Sequence, residues 1–150
     1  MRVLVQRVST ASVSVDTVIQ GKISNGLLLF IGVHHNDTAQ TVKWCVNKIL
    51  NLRIFSDDYS KMNLSLKDIN GSVLAISQFT LYANTTKGRR PHFGEAASAQ
   101  KGKELYELFI ELLKKEILVV QTGVFQAHME VTLCNDGPVT LMIEKEELTS

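Results

Sequence analysis

The chain has little proline, two residues in 150, and equally little cysteine: Pro91 and Pro138, Cys45 and Cys134. Two cysteines, each inside an apolar periodic segment, make no disulfide framework. They read as buried free thiols in a reducing compartment, and the expected location is cytoplasmic. Strong charge of either sign is missing too. A net charge of +1 excludes a global pull toward polyanions, so any nucleic-acid contact must come from a local patch. Long hydrophobic runs are absent: Leu27 to Val33 falls far short of the ~18 residues of a membrane helix. Met1-Arg2-Val3-Leu4-Val5 enters a strand pattern directly, without the apolar region and small-residue exit of a cleavable leader. No membrane partner is expected.

Repeats, low-complexity tracts and linkers are also lacking, as is a glycine-rich phosphate loop. Strands do not alternate regularly with helices, which argues against a doubly wound nucleotide fold. No Cys/His spacing resembles a metal site. His34 and His35 are adjacent, so in a strand they would point to opposite faces and could not share an ion. Neither metal nor other cofactor is expected.

What is present is an ordinary globular composition, 45% hydrophobic and 21% charged, which argues against disorder. One domain over residues 1–150 is large enough to bury roughly 68–70% of the unfolded surface. Val3, Val5 and Ser12 to Val15 predict two short strands with a turn near Ser9-Thr10. Thr17 to Ile23 predicts a third, and Asn25-Gly26 a hairpin turn after it. Leu27 to Val33, apolar throughout, reads as a central strand covered on both faces. Asn36-Asp37-Thr38 offers caps for a helix carrying Val42, Cys45, Val46, Ile49 and Leu50. Arg53 to Phe55 reads as a short strand, and Ser56 to Asn70 as a polar loop. Ser72 to Ile76 reads as a buried strand running into Ser77 to Tyr82, and Asn84 to Phe93 as a basic loop. Glu95 to Lys115 predicts the second helix, with a stripe of Leu105, Leu108, Phe109, Leu112 and Leu113. Glu95 and Lys114-Lys115 then complement its dipole. Ile117 to Ile143 returns to strand. The fold class is α+β: a mixed, largely antiparallel sheet curled toward a barrel, with two main helices.

A hydrolase usually offers a nucleophile, a base and an orienting acid, and here the candidates are thin. His128 precedes an apolar strand and reads as packed or hydrogen-bonded. His92 sits in the basic loop, and Asp57-Asp58 read as a solvated turn. Ser77, Gln78 and Thr80 place two hydroxyls and an amide at the end of a buried strand. That is either ordinary strand-end capping or the lip of a cleft. Lys87-Gly88-Arg89-Arg90-Pro91, extended by Lys101 and Lys103 if the next helix folds back, is either a solvated loop or a phosphate contact.

The odd stretch is Asn135-Asp136-Gly137-Pro138-Val139-Thr140. It interrupts what otherwise reads as one strand region from Met129 to Ile143. Proline cannot give an N–H to a ladder and is normally confined to edges, bulges and strand starts. The stretch is either a tight hairpin turn or a site, since broken local rules tend to mark function.

Taken together, Ser77-Gln78-Phe79-Thr80-Leu81 and Asn135-Asp136-Gly137-Pro138-Val139-Thr140 resemble the two motifs of the D-aminoacyl-tRNA deacylases (the D-tyrosyl-tRNA(Tyr) deacylase family). Met1 to Val8 and Lys87 to Phe93 are similar as well, so the resemblance runs the length of the chain. It implies a homodimer with active sites at the subunit interface, acting on D-aminoacyl-tRNA. It implies a cis Gly137-Pro138 bond entering the partner's site as a chiral filter, with Arg7 holding the pair and Gln78 nearby. Catalysis would fall to the region Ser77, Gln78, Phe79, Thr80, with Phe125 and Met129 packing on the terminal adenine. Cleavage of glycyl-tRNA is expected beside that of D-aminoacyl-tRNA. The competing reading is a non-catalytic nucleic-acid-binding module of the same fold. A dimeric small-molecule binder would leave the basic loop without a role.

Overall fold

Strand β1 (Arg2–Val15) runs straight through the place where the sequence predicts a turn. In the computed structural model, which describes residues 1–146, Ser9 is a bulge. Val8 and Thr10 stand opposite consecutive residues of the last strand, Asn135 and Cys134, so Ser9 is the extra one. One extra residue reverses which face the following side chains take. Val3 and Val5 therefore join one core cluster, and Ala11 and Val13 join the other. A one-residue slip in apolar phase leaves the same trace in a sequence as a turn.

The hairpin turn lies instead at Asp16-Thr17, both at positive φ, 48° and 67°. That is what a two-residue loop matched to strand twist requires. Strand β2 (Val18–Ile23) follows it back along β1. Asn25-Gly26, predicted as a hairpin turn, is a bend between β2 and β3 (Gly26–Gly32), which do not pair with each other. Both lie along the same edge of β1 in one register, Ala11 opposite Ile23 and Val8 opposite Gly26. Gly26 serves close approach here: a Cβ would sit 1.9 Å from the Ser72 carbonyl oxygen.

Helix α1 (Ala39–Asn51) starts at Thr38, whose capping exchange with Thr41 closes its first turn. Val42, Cys45, Val46, Ile49 and Leu50 are buried, as the spacing predicts. Asp37, just before the cap, is buried against the Met1 ammonium at 2.6 Å. The strand expected at Arg53 to Phe55 is β4 (Phe55–Ser56), paired with β5 (Met62–Leu64) inside what reads as loop. Strand β6 (Ser72–Ser77) lies parallel to β3 and is followed by a 3₁₀ turn, Phe79–Tyr82, rather than by more strand.

Helix α2 (Ala99–Glu116) begins four residues later than Glu95, capped by Ser98. Its first turn holds no acidic residue, so Glu95 does not serve the dipole; Lys114 and Lys115 do stand in the last turn. Tyr106, Phe109, Ile110 and Leu113 are its buried face. Strand β7 (Val120–Thr122) pairs parallel to β6, and β8 (Glu130–Glu144) pairs antiparallel to β1 along its other edge.

The sheet order β2-β1-β3-β6-β7, with β8 beside β1, puts β3 in the middle. Period-two alternation then divides its side chains. Leu27, Leu29 and Ile31 face the cluster under the two helices, whereas Leu28 joins Leu74 and Ile76 on the other face. The sheet curls until its ends almost meet: a Cβ on Gly21 of β2 would stand 3.0 Å from the Thr122 carbonyl of β7. The architecture is the expected α+β one, a mixed sheet nearly closed into a barrel with two helices packed on it. Among the described residues no helix is long and apolar enough to cross a membrane.

Candidate active site

Ser77 ends β6 opposite Ile31, and Gln78 stays tied to that strand, its N–H donating to the Ile31 carbonyl at 2.8 Å. The chain then tightens into the 3₁₀ turn. Leu81 N–H donates to Gln78 O and Ala83 N–H to Thr80 O, at 3.3 and 3.0 Å. The first N–H groups of a helical turn have no carbonyl of that turn behind them, and here those groups belong to Phe79 and Thr80. Gln78 Nε2 donates to Thr80 Oγ1, which holds the Thr80 hydroxyl across the turn. Phe79 is 57% exposed, a large apolar side chain left on the surface.

Phe79 borders a cavity of about 400 Å³ whose walls include Val33, Ala97, Ser98, Gly102 and Phe125. Phe93, from the end of the basic loop, meets Phe79 edge-on at 5.2 Å between ring centres. Phe125 rests on Tyr106 at 6.0 Å. The Tyr106 hydroxyl donates to Ala75 O at 2.9 Å, and burial pushes its pKa up to about 12. Met129 does not line this cavity. It packs against the cluster around Leu28 and Ile76, with its sulfur beside Gly123.

The second motif is not a hairpin turn. Gln6 stands opposite Thr140 and Thr10 opposite Cys134, so four steps along β1 match six along β8. Val8 stands opposite Asn135, so the surplus is extruded as a bulge at Asp136 to Val139. Asn135 braces it, its amide donating to Arg7 O at 2.8 Å and Val139 O at 3.2 Å. The Gly137-Pro138 peptide is cis, and nothing stands within 4 Å of where a Gly137 Cβ would be. Arg7, 7% exposed, reaches the bulge from beneath. Its Nη1 donates to Ile54 O at 2.6 Å, its Nε to Asp136 O at 3.1 Å and its Nη2 to Gly137 O at 3.4 Å. The Asp136 carboxylate adds an ion pair at 3.0 Å.

The two motifs do not meet within one chain. Arg7 lies opposite Leu27, and Ser77 lies opposite Ile31 on the far side of β3. Four residues of strand rise and two inter-strand spacings separate them, roughly 16 Å. The structure therefore brings Phe79 of the first motif beside Phe125, and Arg7 beneath Asp136 and Gly137 of the second, as two distant groups.

The other candidates fall differently. Cys45 is buried, its thiol pushed up to about 11 by burial, but Cys134 is exposed, since it points outward from β8. His128 is exposed rather than packed. Asp57 organises its own loop, accepting from the N–H groups of Tyr59 and Lys61 and from Asn63, and these bonds hold its carboxyl below the usual range. Lys87, Arg89 and Arg90 are exposed in a loop next to Phe93, whereas Lys101 donates to the His35 carbonyl at 2.6 Å.

His34 and His35 are not on opposite faces. They lie past the end of β3, where the chain turns, and their rings stack at 4.1 Å. Both approach one carboxylate oxygen of Glu95: His34 Nε2 at 2.9 Å and His35 Nε2 at 3.7 Å. The His34 hydrogen bond, and then the neighbouring histidines, hold the Glu95 carboxyl below its usual range. Adjacency in sequence predicts opposite faces only inside a strand, and nothing local points to Glu95, 60 positions on. Gly102 did leave a signal, a glycine within an amphipathic helix. A Cβ there would stand 3.8 Å from the Phe125 ring, so the glycine keeps the cavity open.

Residues 4–144 match the family model described as D-Tyr-tRNA(Tyr) deacylase. The chain is 53% identical to a D-aminoacyl-tRNA deacylase of Thermotoga petrophila over 148 residues, covering 99% of both. It is 50% identical to a D-aminoacyl-tRNA deacylase of Clostridium acetobutylicum over 148 residues, again covering 99% of both. Among solved structures, the c-Myc DNA Unwinding Element Binding Protein superposes with a TM-score of 0.93 at 36% identity, over 98% of this chain and 100% of that one. A probable eukaryotic D-amino acid tRNA deacylase shares the fold at 18% identity, TM-score 0.82, over 95% and 97%.

Proposed function

This chain belongs to the D-Tyr-tRNA(Tyr) deacylase family, and on that premise we propose that it hydrolyses the ester joining a D-amino acid to the terminal adenosine of tRNA. The observation that carries the mechanism is the division of the site: the leading N–H groups of a 3₁₀ turn on one surface, a braced backbone bulge on another, and, among the described residues, no side-chain nucleophile with a base beside either. Two copies of the chain bring the bulge of one to the 3₁₀ turn of the other.

The chemistry follows from the backbone. Water attacks the ester carbonyl, and the N–H groups of Phe79 and Thr80 receive the oxyanion. A preorganised donor of that kind contributes ~3–4 kcal/mol in the transition state. The terminal adenosine's own 2′-hydroxyl helps activate the water, and Phe125 packs against the adenine. Lys87, Arg89 and Arg90 meet the tRNA phosphates.

Selectivity rests on Gly137 and Pro138. The substrate Cα carries carbonyl, ammonium, side chain and hydrogen. With the carbonyl and ammonium fixed, D and L forms differ only by exchanging side chain and hydrogen. A rigid backbone wall where the L side chain would lie rejects L by clash, and Arg7 holds that wall in place. The D side chain points to solvent, so many D-residues pass. Glycine has hydrogen in both positions and passes as well.

Purified protein incubated with D-tyrosyl-, L-tyrosyl- and glycyl-tRNA tests this. Loss of the D and glycyl esters with the L ester spared is the expected result. Survival of the D ester removes the enzymatic reading in favour of a nucleic-acid-binding module, the function named for the c-Myc-element relative. An intact glycyl ester beside a cleaved D ester removes the wall.

A further inference from the structure

We propose that His34, His35 and Glu95 form a binding site for one divalent transition-metal ion of the zinc type. In tetrahedral zinc sites nitrogen and carboxylate ligands stand ~2.0–2.1 Å from the ion, which places two ligand atoms about 3.3 Å apart. Here the two histidine nitrogens lie 2.9 and 3.7 Å from the shared Glu95 oxygen, on either side of that value. All three ligand atoms fall within 4.8 Å of one another, so side-chain rotation at these exposed and half-buried residues completes the set.

The hydrogen bonds around His35 call for a cation. Asn36 Oδ1 stands 2.9 Å from His35 Nδ1, an acceptor that keeps the proton there. His35 Nε2 is then a lone pair turned toward a carboxylate oxygen. In that tautomer a metal ion between the two atoms would be bound by both. The Asn36 amide also orients the ring, as outer partners of metal-bound histidines do. An imidazole pair with one carboxylate suits zinc, cobalt, nickel or copper and disfavours magnesium or calcium.

The backbone holds the ligands in register. His35 N–H donates to Glu95 O at 3.1 Å, Ala97 N–H to Val33 O at 2.9 Å, and His34 pairs with Ala96 as a bridge. His34 is 21% exposed, and with Glu95 it lines a cavity of about 460 Å³ that also includes Arg2, Tyr82 and Asn84. Water completes the coordination from that side. The bound ion ties the end of β3 to the segment that carries Ala97 and Ser98 into the wall beside Phe79.

Binding has one local cost. His34 Nδ1 now accepts the Asn36 N–H at 3.1 Å, and His34 Nε2 carries the proton given to Glu95. To ligate, that proton moves from Nε2 to Nδ1, and the Asn36 N–H contact opens. The Asn36 amide thereby becomes the reporter.

Titration of the full, untagged, chelator-treated chain with Zn²⁺ and Co²⁺ decides the matter. One ion per chain, a visible Co²⁺ spectrum and a shift of the Asn36 amide resonance are expected. Glu95→Gln and His35→Ala, each checked for fold by circular dichroism, lose at least ~10-fold in affinity, since even outer-partner changes cost that much. Failure of the wild-type chain to bind either ion overturns the proposal. So does binding whose affinity is unchanged in both variants, or a silent Asn36 amide at full loading.

Discussion

Arg7 is the side chain on which the proposed filter depends, and replacing it has calculable consequences. It is almost wholly buried and supports three carbonyls: Ile54, Asp136 and Gly137. Arg7→Met keeps the apolar stem and removes the guanidinium. A hydrogen bond from a charged donor contributes ~1.5–3 kcal/mol, and a buried carbonyl left without a donor costs ~1–3 kcal/mol. Asp136 is half exposed, so its carboxylate is screened and adds little. The main loss comes from Ile54 O, where the Arg7 hydrogen bond is buried, and the total is about 4 kcal/mol. For a chain of this size that lowers Tm by ~8–16 °C. Arg7→Lys keeps the charge but not the planar fork, so it supports Ile54 O and releases the bulge. Its stability loss is smaller, while discrimination of D- from L-tyrosyl-tRNA falls about 10- to 150-fold, the equivalent of one lost ~1.5–3 kcal/mol contact. The assay is the ratio of kcat/KM for the two esters, beside a thermal melt. A folded Arg7→Lys enzyme with undiminished discrimination refutes the argument that Arg7 positions the wall.

Thr80→Ala retains the backbone donor, so kcat on D-tyrosyl-tRNA stays near normal; a fall of several orders makes the hydroxyl a nucleophile. Gly102→Ala places a methyl 3.8 Å from Phe125, raising helix stability by ~0.5–1 kcal/mol while narrowing the cavity, so Tm rises and KM for the tRNA substrate increases with little change in kcat. Iodoacetamide at pH 8 modifies exposed Cys134 in the native protein and spares Cys45, whose thiol is raised to about 11 and remains protonated there; mass mapping of the alkylated peptides checks it. Asp37→Asn leaves the Met1 ammonium buried without its countercharge, and a loss of ~3–5 kcal/mol in denaturant unfolding is the expected outcome.

The parts of the fold that periodicity made legible are those where one residue pattern serves one element. Val42 to Leu50 on α1, Leu27 to Ile31 on β3 and Val73 to Ile76 on β6 are cases of this. The misread parts are those where register changes inside an element. A bulge at Ser9 looks like a turn because both shift the apolar phase, and the bulge at Asp136 to Val139 looks like one because proline and glycine occur in both. The true hairpin at Asp16-Thr17 carries no glycine, while Asn25-Gly26 carries one to admit the Ser72 backbone. For the site, the motif residues stood out because they break local rules. Of the cavity walls beyond Phe79, only Phe125 came with the family resemblance; Val33, Ala97 and Ser98 did not stand out, since they come from separate stretches of the chain. The cluster of His34, His35 and Glu95 was hidden for the same reason.

A site shared between two copies is the claim on which the account turns, because Arg7, beneath one motif, and Ser77, in the other, lie roughly 16 Å apart within one chain. Co-expressed Gln78→Cys and Gly137→Cys chains, both in a Cys134→Ser background and treated with a short bis-maleimide, test it directly. The account predicts a covalent dimer joining residue 78 of one chain to residue 137 of the other. Folded, thiol-reactive chains that yield no such cross-link contradict it.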